Sequence, residues 1–213
     1  MAVDAPKGLV PIRKVDGTPF NGPLKKVVVS SSDATAIFIG DLVYYTGSSP
    51  TTGAKILGED VAGIPMVQRL TASSSADPAN LAGVVVGVKP NPDDLATKHR
   101  KASTNSILFI CNDADVVYEM QEDADTTPIV AASIGLNANI AFGAGVAATG
   151  VSGLEIDSNT VATTAALPLK VIGLSKKVDN DFYAGNGNVN GKFEVVLNWV
   201  LHSHGIGGTT AAV

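Results

Sequence analysis

Apolar residues recur at every second position along this chain, in short runs. In Lys192–Leu201, Phe193, Val195, Leu197, Trp199 and Leu201 fall on one face, with Glu194, Asn198 and His202 on the other. A period of two predicts a half-buried strand, and Asn190-Gly191 just ahead of it is a hairpin signal. The same reading gives strands over Lys25–Ser30, Ala36–Thr46, Gly83–Lys89, Ser106–Cys111, Asp115–Gln121 and Leu167–Leu174. All are rich in Val, Ile, Phe or Tyr and bounded by turn-forming residues. Within Asp115–Gln121, alternation places Val116, Tyr118 and Met120 inward and Val117, Glu119 and Gln121 outward.

No window of 15 or more residues carries amphipathic helical spacing. One short segment, Asn91–Lys101, has helix-capping grammar: Asn91 as cap, Pro92 first, Asp93 and Asp94 in the opening turn, and Lys98 to Lys101 at the end. Leu95 is its single large apolar residue, so a turn of helix and an irregular loop both stay open. The predicted fold class is all-β, a sandwich or barrel of short antiparallel strands with little helix.

Residues 1–30 hold Pro6, Pro11, Pro19 and Pro23, with Asp16-Gly17 and Asn21-Gly22 as turn pairs. Prolines at that density interrupt ladder pairing, so this stretch is read as an extended arm lying over a surface. Residues 31–204 form the β-rich body, and 205–213 a flexible tail. Ser48–Ala54 and Thr71–Ala79 read as exposed loops. The most apolar stretch, Ile129–Val151, is broken by Asn137, Asn139 and several glycines. It falls short of the roughly 18 apolar residues a membrane helix needs.

Composition narrows the function. The 213 residues include 16% charged and 45% hydrophobic positions, and a mean hydropathy of +0.24 excludes a disordered chain. Fifteen Lys and Arg against twenty Asp and Glu leave a net charge of −5, which disfavours nucleic acid and anionic membranes as partners. Cys111 is the lone cysteine, so no internal disulfide framework exists. The opening MAVDAPKGLVP lacks the apolar core of a signal peptide, and folding in a cytoplasm is expected.

Candidate chemistry is sparse. Gly150-Val151-Ser152-Gly153 lacks the spacing of a nucleophile elbow, and Cys111 inside a strand reads as a buried small side chain. Gly185–Lys192 (GNGNVNGK) suggests a phosphate loop, but Phe193 follows the Lys and a strand follows the loop, so it reads as a hairpin turn. His202 and His204 would point the same way, about 7 Å apart, yet a structural zinc site needs four ligands. Asp113, Asp115, Glu119, Glu122, Asp123 and Asp125 form an acidic segment, read as a solvated strand edge and turn, with a cation site as the alternative. Asp179-Asn180-Asp181 is read as a turn. The basic doublets Arg13-Lys14, Lys25-Lys26 and Lys176-Lys177, and the run Lys98–Lys101, have no interleaved aromatics. An acidic protein partner is the reading for these, and Trp199 alternates onto an apolar face that suits a core. No catalytic residue, cofactor, metal ligand or small-molecule substrate is assigned, and no enzyme is expected.

The order of several segments resembles a known family. GLVPIRKVDGTPFNG (Gly8–Gly22), ATAIFIGDLVYYTG (Ala34–Gly47), AGVVVGVKP (Ala82–Pro90), ICNDADVVYEMQED (Ile110–Asp123), IGLNANIAFGAGVAATGVSGLEIDSNT (Ile134–Thr160) and LPLKVIGLSKKVDND (Leu167–Asp181) are similar to capsid decoration, or cement, proteins of short-tailed bacteriophages. The likeness spans most of the chain through small motifs. It implies a β-rich homotrimer on the outer surface of the expanded capsid at local three-fold positions. There it would bridge major capsid protein subunits against the pressure of packaged DNA. The family has no catalytic residues to transfer. The alternatives are another virion structural protein (a tail, fibre or head-completion component, or the shell protein, which would need a long helix absent from this pattern) and a β-sandwich carbohydrate-binding module using Tyr44, Tyr45 or Tyr183.

Overall fold

The computed structural model describes residues 3–72, 81–125, 127–178, 180 and 190–198. Its strands are β1 (Val10–Lys14), β2 (Lys25–Val29), β3 (Leu42–Tyr45), β4 (Lys55–Ile56), β5 (Glu59–Asp60), β6 (Val67–Arg69) and β7 (Leu81–Val88). These are followed by β8 (Ser106–Cys111), β9 (Val116–Gln121), β10 (Asn137–Val146), β11 (Val151–Ala162), β12 (Leu169–Leu174) and β13 (Lys192–Leu197). The fold is all-β, with two main antiparallel sheets packed as a sandwich. One sheet runs β1-β9-β13-β12-β10-β11, the other β2-β8-β7-β3-β6, and β4-β5 is a separate hairpin.

Both sheets curl until strands distant in sheet order touch. The Val28 N–H donates to the Pro65 carbonyl at 3.1 Å beside a Val28–Met66 bridge, bringing β2 to the edge of β6. In the larger sheet, Glu122 bridges Ile156 and the Asp123 N–H donates to the Ile156 carbonyl at 3.0 Å, bringing β9 to β11. Each meeting is one bridge instead of a ladder, so neither sheet closes into a barrel.

Curling explains the sequence pattern. Val27, Val29, Val43, Val67, Val85, Leu108 and Ile110 come from all five strands of the smaller sheet and pack into one cluster, as the inner face of a curled sheet must. Their chain neighbours Leu42, Val84 and Cys111 point the other way, into a core shared with Tyr118, Met120, Ile140, Leu154, Leu169, Phe193 and Val195 of the larger sheet. Val28 and Ile107 lie under Ile56 and Val61 of the small hairpin region. A sheet covered on both faces needs apolar residues at successive positions, hence Val27-Val28-Val29 and Leu81–Val88.

Several expectations change. Within residues 3–30 the described segment contributes strands to both sheets: β1 pairs with β9, and β2 pairs with β8 with Val27, Val28 and Val29 buried. Pro11 is accommodated because β1 is the edge strand of its sheet, where a missing N–H costs little. Asn91–Lys101 is irregular: Asn91 Oδ1 accepts the Asp93 N–H at 3.1 Å in a turn, and Leu95 is 74% exposed with no core to dock on. Within Ala36–Thr46 only Leu42–Tyr45 is strand. Val117 and Gln121, expected outward, are 0% and 3% exposed. The N-terminal segment covers Gln121, whose Oε1 accepts the Ala5 N–H and whose Nε2 donates to Asp4 Oδ1, each at 3.1 Å. Residues 199–213, including the 205–213 tail, lie outside the described residues, as does most of the Thr71–Ala79 loop.

That N-terminal segment is fastened where two glycines meet. Gly40 has φ +93° and Gly8 φ +65°, and a Cβ on either would run into the other segment's backbone, the Lys7 and Gly40 carbonyls respectively. The Leu9 N–H donates to the Gly40 carbonyl at 3.0 Å. Gly22, at φ +73°, has open space around it. Gly40→Ala is expected to cost more than about 2 kcal/mol, through both strain and collision, and Gly22→Ala about 1 kcal/mol through backbone strain alone. Urea unfolding of the two variants against wild type checks this; equal losses would contradict the close contact.

Candidate functional site

The polar groups closest to a catalytic arrangement lie between the two sheets, and their bonding makes them structural. Asp41, 0% exposed, accepts the Phe38 N–H at 2.8 Å on Oδ2 and the Ser152 hydroxyl at 2.5 Å on Oδ1. Arg69 places Nε 2.9 Å from Asp41 Oδ2, and its Nη2 donates to Asp41 Oδ1 at 3.2 Å and to the Gly143 carbonyl at 3.3 Å. Burial pushes the Asp41 carboxyl up from its ordinary value, while Arg69, Ser152 and the Phe38 N–H pull it back. The Ser152 hydroxyl is committed to a buried carboxylate, and its Oγ accepts the Leu154 N–H at 3.1 Å. It therefore joins the β10–β11 hairpin to the smaller sheet, and among the described residues no imidazole is positioned to activate it.

Cys111 is 0% exposed and its Sγ receives the Tyr118 hydroxyl at 3.2 Å. Burial raises the thiol pKa, with the Tyr118 hydrogen bond opposing, so at neutral pH it is a thiol and not the reactive thiolate. Asn190 (φ +64°) and Gly191 form the turn expected before β13. Asn180, 2% exposed, acts beyond a turn: its Nδ2 donates to the Ser175 and Lys192 carbonyls at 2.7 and 2.6 Å. Tyr44 donates to Gln68 Oε1 at 2.7 Å, and Tyr45 Oη accepts from Lys25 Nζ at 2.9 Å. Trp199, His202, His204, Tyr183, Asp179, Asp181 and residues 185–189 lie outside the described residues.

The acidic segment divides into three environments. Asp113 pairs with Lys14 at 2.8 Å, and Glu119 with Lys177 at 2.6 Å, as partly exposed ion pairs. Asp123, Asp125 and Asp157 each bring a carboxylate oxygen within 4.8 Å of the other two, the grouping among the described residues that could hold a metal ion. The Ser158 hydroxyl lies 3.0 and 2.9 Å from Asp123 and Asp125, adding a hydrogen-bonding group to that crowd of like charges.

Glu122 overturns the solvated-edge expectation. It is 0% exposed, Oε2 accepts the Ile129 N–H at 2.7 Å, and Oε1 has no hydrogen-bond partner. Burial drives its pKa up to about 7, helped by Asp123 and Asp125 and opposed by the Ile129 and Gly191 backbone.

The basic run Lys98–Lys101 lines a cleft of about 210 Å³, together with Leu57, Lys89, Asp94 and Leu95. Arg100 is its frame: 1% exposed, it donates to the carbonyls of Ser30, Asp33, Thr35 and Thr104 at 2.5 to 3.0 Å and lies 3.7 Å from Asp33 Oδ2. His99 stacks on Phe38, with ring centroids 4.6 Å apart, and its Nδ1 is buried without a hydrogen-bond partner. Burial, then Lys101, hold His99 below its ordinary pKa. Lys89 pairs with Glu59 at 2.7 Å and Lys101 with Asp94, whereas Lys98 is exposed and has no ion-pair partner among the described residues. Sequence reading assigned this run to a possible helix end; four consecutive cationic or imidazole side chains were the signal, and their convergence comes from the loop.

No family model matches the chain, no curated protein matches it significantly, and no solved structure does.

Glu122 yields a pH prediction. Its folded pKa of about 7 lies above the ordinary glutamate value of 4.5, so its stability contribution is full below about 4.5 and is lost as pH rises through 7. Glu122→Gln removes that ionisation while keeping an acceptor for Ile129. The variant is expected to gain on the order of 2–3 kcal/mol relative to wild type between pH 5 and pH 8. Thermal unfolding at both pH values checks this; a difference independent of pH would contradict it.

Proposed function

We propose that this chain is a virion structural protein that binds the outer surface of an expanded phage capsid as a trimer at local three-fold positions. It stabilises the shell against internal DNA pressure by gripping neighbouring major capsid protein subunits. The observation that carries the reading is where the family-like residues sit. Gly8, Gly40, Asp41, Gly143, Ser152 and Gly153 all fall in the segments that resemble decoration proteins, and all lie at the junction of the two sheets. Gly143 pairs with Gly153 in register, so closely that a Cβ on Gly143 would meet the Gly153 carbonyl. The resemblance thus falls on residues that fix the relative placement of the sheets, which supports a shared body and not a scatter of surface similarities.

A rigid body suits such a role physically. Binding that orders nothing keeps the contact energy that flexible partners lose to conformational entropy. Three linked copies engage at high effective concentration, so modest contacts suffice for stable attachment. A ligand that binds the expanded lattice and not its disrupted form stabilises that lattice by mass action, about 2.7 kcal/mol per site at a free concentration one hundred times Kd.

Two measurements test this together. Sedimentation equilibrium is expected to give three times the 21.7 kDa chain mass. Added to expanded heads of the encoding phage that lack it, the protein is expected to bind saturably and raise their disruption temperature by several degrees. A monomer without affinity for such heads would overturn the proposal.

A further inference from the structure

We propose that the cleft lined by Lys89, Leu95, Lys98, His99 and Lys101 is a docking site for a glutamate- or aspartate-rich segment of a partner protein. In naming a protein as the occupant, the inference rests on the preceding reading of the chain as a docking body; the cleft's preference for carboxylates does not.

Charge is the first argument. The chain carries five more acidic than basic residues, yet in and beside this cleft the balance reverses. Of the residues lining it, Lys89, Lys98, Arg100 and Lys101 are basic and Asp94 is acidic, and beside them lie Lys26, Asp33, Glu59 and the exposed Asp93. Glu59 is shared between Lys26 and Lys89, whose hydrogen bonds hold its carboxyl down at about 2. Asp94 is held by Lys101 and also receives the Thr97 hydroxyl at 2.8 Å. Glu59 and Asp94 are thus each engaged by lysines, while Lys98 keeps an uncompensated charge at the surface. A carboxylate entering the cleft meets that ammonium without having to displace an internal partner, and charge-assisted bonds of this kind are the stronger ones.

The second argument is a pre-set wall. His99 lines the cleft with its Nδ1 buried. Stacking on Phe38 fixes the ring plane. Phe38 is itself backed by the β10–β11 hairpin, where a Cβ on Gly145 would strike its ring, and Gly150 abuts Lys98 just as closely. The cleft wall is therefore pre-set by the same hairpin that Ser152 fastens to Asp41, and binding pays little reorganisation.

Leu95 supplies the third argument, the one for a polypeptide. At 74% exposed it is a large apolar side chain projecting from the rim. A free inorganic anion gains nothing from it, whereas an acidic segment carrying an apolar residue buries it. The volume, about 210 Å³, accommodates one or two side chains and not a folded domain.

The test uses the isotope-labelled full-length chain and nuclear magnetic resonance titration with three probes: an acetylated hexaglutamate amide, its hexalysine counterpart, and inorganic phosphate. The proposal expects hexaglutamate to shift the His99 ring and the Lys98 and Lys101 amides saturably, with no response to hexalysine and a phosphate affinity at least tenfold weaker. Lys98→Glu, a substitution at an exposed position, is expected to weaken the peptide at least tenfold with an otherwise unchanged spectrum, and Lys98→Ala by a smaller factor. Absence of shifts at His99, or shifts unchanged by Lys98→Glu, overturns the site. Phosphate binding as tightly as the peptide overturns the protein occupant. The capsid reading fails separately: wild-type chain that binds hexaglutamate but not heads sinks that reading and leaves the cleft, and Lys98→Glu chain that binds heads normally does the reverse.

Discussion

The structure depends on a buried carboxylate whose every obligation is met at the junction of its two sheets. Asp41 sits 0% exposed just before β3, and Arg69, Ser152 and the Phe38 amide converge on it from β6, β11 and its own turn. An ionised group in such a place is costly unless fully paired, and removing one partner leaves the charge stranded. The arrangement therefore specifies one relative placement of the sheets more strongly than apolar packing would, since apolar surfaces can slide and a buried ion pair with directional hydrogen bonds cannot. The Gly8–Gly40 and Gly143–Gly153 contacts follow from the same constraint. The backbones approach too closely there for any side chain, which lets Asp41 reach across.

Much of the fold was legible in the chain because period-two patterning and turn chemistry act locally. Ser106–Cys111 was bounded correctly from the sequence, and β2, β7, β9, β12 and β13 were found with ends shifted by a few residues. What was missed has physical causes. The long β10–β11 hairpin is rich in Gly, Ala and Asn, poor strand formers that succeed here because the neighbouring backbone needs the space. β1 was hidden by Pro11, which an edge strand tolerates. Val117 and Gln121 obey strand alternation yet are both buried, since a sheet covered on its second face has no solvent side for its outward residues.

The site was less legible than the fold, because convergence in space leaves little trace in spacing. Ser152 stood out only within a local Gly-Val-Ser-Gly run, and its partner Asp41 lies 111 positions away. Glu122 looked like part of a charged edge and proved to be a core residue holding the Ile129 amide. Lys98–Lys101 was visible as a cluster, while the cleft it lines is made by a loop framed on the Arg100 guanidinium, a role no local pattern announces.

Among the described residues, two curled sheets are joined through one polar clamp, residues 3–30 contribute a strand to each, and a cleft rimmed by Leu95 is lined by basic residues. The proposed capsid role is checked most directly by electron cryomicroscopy of mature phage particles containing this chain, at a resolution that traces strands. The account predicts density for this β-sandwich outside the shell at local three-fold positions, in three symmetry-related copies. Particles whose exterior carries no such density, or which hold the chain only in the tail, would contradict it.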